Sequence, residues 1–113
     1  MSRLQAAIAK AQDTTGSVPN SGWYGASHDF ATVEEALKVV ERLAELPDDL
    51  IVINQKAMDR AAVVPGTDQK VEVAILQGRN SLKGLTVTVY YNGKVVCNNT
   101  ALWEKALSTA FPN

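Results

Sequence analysis

The chain's one histidine, His28, directly precedes Asp29, and both stand in a run with Trp23, Tyr24 and Phe30, among Gly22 and Gly25. An imidazole beside a carboxylate is the arrangement of a general base with its orienting partner. Neighbours in sequence seldom reach that geometry, and no nucleophile or oxyanion donor accompanies the pair. Asp29 has the simpler role of turning the chain into the helix that follows. Trp23 and Tyr24 suit stacking against a ligand or partner, with His28 and Asp29 as hydrogen-bonding groups. The competing role for Trp23 and Phe30 is to pin a long loop onto the scaffold.

A second segment with chemistry is 77–84, Gln-Gly-Arg-Asn-Ser-Leu-Lys-Gly. Backbone amides in such a loop form anion nests, and Arg79 is a bidentate clamp, with Asn80 and Lys83 beside it. The spacing is not that of a P-loop and no helix follows. A solvated hairpin loop has the same composition. Cys97 is the only cysteine. It lies in an apolar strand pattern and reads as a buried hydrophobe; it is a nucleophile only if His28 or a lysine lowers its pKa. One cysteine permits no intramolecular disulfide and fits a reducing, cytoplasmic setting. With one His and one Cys no metal site is expected, and no cofactor motif is present. Asn98-Asn99-Thr100 matches a glycosylation sequon, but the N-terminal residues have no signal-peptide core, so the match reads as chance.

The net charge of -1 over 113 residues argues against a dedicated nucleic-acid footprint. No apolar run reaches the roughly 20 residues of a membrane span. The charge is uneven. Residues 32–50 carry six acids and two bases, or -4, whereas 70–113 carry five bases and two acids, or +3. The acidic face (Glu34, Glu35, Glu41, Glu45) reads as a solvated surface or one that meets a basic partner.

These residues need a scaffold. At this length one domain, 1–113, buries roughly two-thirds of its unfolded surface without a staple. Leu4, Ala7, Ile8 and Ala11 mark a short helix with a Ser2–Gln5 capping box. Residues 13–31 show no periodicity and read as a long aromatic, Gly- and Ser-containing loop. Thr32 then caps a helix with the apolar stripe Val33, Ala36, Leu37, Val40, Leu43 and Ala44, ended by Pro47. The run Leu50-Ile51-Val52-Ile53 predicts an interior strand. Asn54 caps a short helix to about Ala62. Strands follow at 71–76, 85–91 and 94–97, and a last helix at 101–110. Asn92-Gly93 predicts a two-residue turn that pairs Tyr90 with Val95 and Thr88 with Cys97. In that register Tyr90, Val95 and Thr88 share a face that a second copy of the chain would cover.

The order α-loop-α-β-α-β-β-β-α predicts an α+β fold. Its sheet is mixed, mostly antiparallel and of about four strands, with helices mainly on one face. A parallel crossover between 50–53 and 71–76 competes with antiparallel pairing. The function expected is non-enzymatic binding. The aromatic segment 23–30 and the basic loop 79–83 are presented to a partner protein or a small anionic ligand. One alternative is a dimer that sequesters a nucleotide or metabolite. The other is a small enzyme with His28 as general base.

Overall fold

The computed structural model describes residues 2–14 and 25–112. Its elements are α1 (Arg3–Gln12), β1 (Ala26–Asp29), α2 (Val33–Ala44), β2 (Ile51–Ile53), α3 (Gln55–Arg60), β3 (Glu72–Gly78), β4 (Thr86–Tyr90), β5 (Lys94–Cys97) and α4 (Thr100–Ala110). All strand pairs are antiparallel, in the order β1-β5-β4-β3-β2. The α+β class is as the sequence predicts, with five strands rather than about four.

The helices start where side chains satisfy free amides. Ser2 and Gln5 make both arms of the capping box on α1. Thr32 Oγ1 accepts from Glu35 N at 3.2 Å at the start of α2. Asn54 and Asn99 cap α3 and α4 in the same way. What holds α2 is its stripe. Ala36, Val40, Leu43 and Ala44 are fully buried. Burying a side chain such as Leu43 is worth roughly 1.5–3 kcal/mol. That outweighs the ~0.3 kcal/mol that an exposed i, i+4 ion pair adds to a helix.

Three expectations are corrected. First, 13–31 is not all loop, because Ala26–Asp29 forms edge strand β1 on β5. Ala-Ser-His-Asp has little intrinsic β preference, so only the tertiary pairing reveals it. Second, β2 is an edge strand, not an interior one, and pairs antiparallel with β3. Its apolar run arises because Ile51 enters the main core while Ile53 touches both apolar clusters. Third, the β4–β5 turn holds three residues. Gly93 takes φ 90°. Its N–H donates to Tyr90 O at 3.0 Å. Lys94 N donates to Asn92 Oδ1 at 3.2 Å. This is the longer hairpin loop with a left-handed glycine at its end. It pairs Val89 with Val95 and Val87 with Cys97.

A one-residue register difference exchanges the two faces of a strand. Val95 and Cys97 therefore join Val87, Val89, Ala74 and Leu76 under α2 and α4. Thr86, Thr88, Tyr90 and Val96 take the opposite face. A smaller cluster of Ile75, Met58, Ala7 and Ala11 joins that face of β3 to α3 and α1. Arg3 ties α1 to the end of α2. Its backbone N–H donates to the Glu45 carboxylate at 3.0 Å, and its guanidinium pairs with Asp48. The buried ammonium of Lys70 donates to the Asp59 and Ala61 carbonyls at 3.0 and 2.8 Å, satisfying the C-terminal end of α3. Burial lowers its pKa, and the Asp59 charge partly offsets this.

Candidate functional site

Strand alternation decides the fate of the histidine. His28 lies opposite Val95 in β1 and faces the helix layer, whereas Asp29 lies opposite Lys94 and faces the other way. Asp29 pairs with the Lys94 ammonium at 3.7 Å. The two adjacent side chains cannot form a base and its orienter, because successive strand residues point to opposite faces. The His28 ring instead stacks on Trp103 of α4, with centroids 5.1 Å apart and planes inclined 22°. Its Nε2 lies 3.8 Å from Cys97 Sγ.

Cys97 is fully buried. Burial pushes its thiol pKa up, against the smaller opposing effect of backbone hydrogen bonds. The sulfur therefore stays protonated. A buried neutral thiol is a poor nucleophile. The trio of His28, Cys97 and Trp103 fastens edge strand β1 to α4 through stacking and burial. Trp23 and Tyr24 lie outside the described residues.

The 77–84 loop sits at the β2 side of the sheet. The backbone N–H of Arg79 donates to Leu50 O at 2.8 Å. Its guanidinium reaches Asp48 O at 3.5 Å. Asn80, in a left-handed conformation at φ 54°, donates its side-chain amide to Asp49 O. Two of the three expected anion contacts are thus turned onto carbonyls of the preceding turn. Lys83 is exposed. β1 and β3 are separated by β5 and β4, three strand spacings or roughly 14 Å. His28 and Arg79 are therefore not brought into one pocket. At the same end of the sheet Asn98 braces the β4 entry. Its Nδ2 donates to Gly84 O at 2.6 Å, and its Oδ1 accepts from Thr86 N at 2.7 Å.

Of the three residues expected at a dimer face, Val95 is fully buried beneath the helices. The three-residue turn put it there. Thr88 and Tyr90 remain on the opposite face, where Thr88 is half-buried and Tyr90 only 3% exposed. The exposed apolar sheet face that motivated a dimer is thus already covered within one chain at Tyr90 and at Val96, which is 6% exposed.

A different surface emerges between α1 and α2. A cleft of about 220 Å³ is lined by Leu4, Gln5 and Ile8 of α1 and by Glu34, Leu37, Lys38 and Glu41 of α2. Ile8 and Leu37 also line a pocket of about 140 Å³, deepened by Ala11, Val33 and Val73, with Gln12, Gln69 and Lys70 at its sides. The two form one groove. Its apolar walls come from half-buried residues, namely Ile8, Val33, Leu37 and Val73. The sequence signal was the breadth of the stripe on α2. Ala36, Val40, Leu43 and Ala44 are buried, while Val33 and Leu37 pack against that core and also wall the groove.

Among the described residues no three His, Cys, Asp or Glu side chains gather as metal ligands. No helix among them is long and apolar enough to cross a membrane. No protein-family model matches the chain, and neither a curated protein nor a solved structure is significantly similar to it.

Proposed function

We propose that the chain is a non-enzymatic binding module that contacts a partner protein through the groove between α1 and α2. The observation that carries this reading is the pair of apolar depressions joined at Ile8 and Leu37. The smaller, about 140 Å³, is close to the ~150 Å³ of an apolar cavity known to hold benzene. It suits one aromatic or branched aliphatic side chain. The ionisable candidates support binding over catalysis. Cys97 is buried and protonated, His28 is stacked, Asp29 faces away, and Arg79 is held by a backbone carbonyl. An anionic ligand at 79–83 would have to displace Arg79 and Asn80 from the carbonyls they hold. A cytoplasmic setting belongs to the same reading and rests on the single cysteine.

Titration with indole, followed through methyl NMR signals, tests the groove. Ile8, Val33, Leu37 and Val73 should shift while the core methyls of Val87 and Val95 stay still. Unmoved groove methyls at millimolar indole would remove the reading.

A further inference from the structure

The two banks of the groove differ in charge. On α1 the bank is Gln5 and Gln12, both neutral. On α2 it is Glu34, Lys38 and Glu41. Successive helix residues turn by about 100°, so measured from Val33 the side chains of Leu37, Glu41, Glu34 and Lys38 lie near 40°, 80°, 100° and 140°. The glutamates therefore stand next to the apolar wall, and Lys38 stands furthest round toward solvent. Glu34 and Glu41 are seven residues apart, roughly 10.5 Å along the axis. The other cation at the groove, Lys70, has its ammonium turned onto the Asp59 and Ala61 carbonyls. Asp68 continues the negative rim beyond Gln12.

The groove follows α1 from Leu4 to Gln12, roughly 12 Å. Two turns of a third helix match that length. A helix lying there would insert residues at i, i+3 or i+4 and i+7 between Ile8 and Leu37, the usual pattern of helix-in-groove recognition. Its flanking charges would meet two carboxylates spaced two turns apart.

We propose that the α1–α2 groove receives a basic amphipathic helix of a partner protein. Its apolar side chains lie over Ile8 and Leu37, and its Lys or Arg residues face Glu34 and Glu41. This rests on the binding reading above and adds the chemistry of the partner.

The test uses two fluorescein-labelled amphipathic peptides of about 15 residues, long enough to hold helix when docked. They share one leucine pattern and differ only in carrying lysines or glutamates on the polar face. By anisotropy the lysine peptide should bind roughly ten-fold tighter at low salt, the effect expected of two exposed ion pairs together. In 0.5 M salt the difference should shrink, since exposed charges are screened. The double variant Glu34→Gln/Glu41→Gln should abolish the difference between the two peptides. Equal binding of both peptides overturns the proposal. So does binding of neither peptide while indole still shifts the groove methyls, an outcome that spares the binding reading. If indole also fails, the binding reading falls with it.

Discussion

Gly25 precedes β1 at φ 87°, and Gly66 adopts nearly the same angle, 83°. Their surroundings differ completely. A Cβ on Gly66 meets nothing within 4 Å, whereas one on Gly25 would run into the Cys97 carbonyl oxygen and come within 2.9 Å of Asn98 Cα. Gly66→Ala therefore isolates the left-handed strain, about 1–2 kcal/mol. Gly25→Ala adds a collision with backbone that no rotamer change can relieve. The only escape is for β1 to move off β5. That movement puts at risk the four-residue pairing of Ala26–Asp29 and the His28–Trp103 stack, the latter worth about 0.5–1.5 kcal/mol beyond its buried area. The expected loss is thus about 3 kcal/mol or more for Gly25→Ala against about 1–2 kcal/mol for Gly66→Ala. At about 4 °C or more per kcal/mol, the melting temperatures should differ by at least about 4 °C. Cys97 supplies a second readout, because its sulfur lies under β1 and is fully buried. Native-state labelling with a thiol reagent should accelerate at least ten-fold in Gly25→Ala and stay near wild type in Gly66→Ala. Equal melting temperatures together with equally slow labelling would refute the placement of β1 against β5.

Other outcomes follow from particular contacts. Glu72 is half-buried, and burial raises its carboxyl pKa, so the folded chain holds that proton more tightly than the unfolded one. Its contribution is fully present below about pH 4.3 and is lost as pH rises through the raised folded value. Glu72→Gln should therefore raise the melting temperature at pH 7 and leave it unchanged near pH 3.5; no gain at pH 7 counts against a burial penalty. Val95→Asp should prevent stable folding, because it buries a charge in the core, while Thr88→Asp on the half-buried opposite face should be far milder. Comparable losses in denaturant unfolding would restore the two-residue turn that places both on one face. Asn98→Ala should cost about 1 kcal/mol in the same assay, since it removes the exposed hydrogen bonds to Gly84 O and Thr86 N, which water then satisfies.

Helices were legible because their evidence is local. The stripe on α2, the Ser2–Gln5 box and the Asn54 cap are all contained in spans of a few residues, and the capping side chains bond as their spacing predicts. The strands of the sheet were legible to the same degree only where β-branched residues alternate. β1 carries no such signal, and its existence depends on β5, which lies about seventy residues away in sequence. The hairpin shows how a strong local signal can still mislead. Asn92-Gly93 does mark the turn, and Gly93 does take positive φ. Yet a turn of two residues and one of three contain the same dipeptide. The choice falls to burial: only the three-residue turn sends Val95 and Cys97 together with Val87 and Val89 into the helix-covered core.

For the candidate site the limit is geometric rather than statistical. His28-Asp29 suggested chemistry through adjacency, but adjacency within a strand guarantees separation onto opposite faces. Had the same pair stood in a helix at i, i+4, the carboxylate could have reached the imidazole. The groove shows the converse case. Ile8 and Leu37 are twenty-nine residues apart and unremarked individually, each one apolar position in its own stripe. They form a surface because α1 is drawn alongside α2 by Leu4 in the core and by Arg3 on Glu45 and Asp48. Arg3 sits at the start of α1, and its partners sit just past the C-terminal end of α2, so its ion pair with Asp48 joins the two helices that wall the groove. Weakening it with Arg3→Ala should change the groove before it changes the core, lowering indole affinity while the Val87 and Val95 methyl signals keep their positions. Loss of the core signals in step with the groove would mean that α1 is held by the core alone, and that the groove is only a by-product of packing.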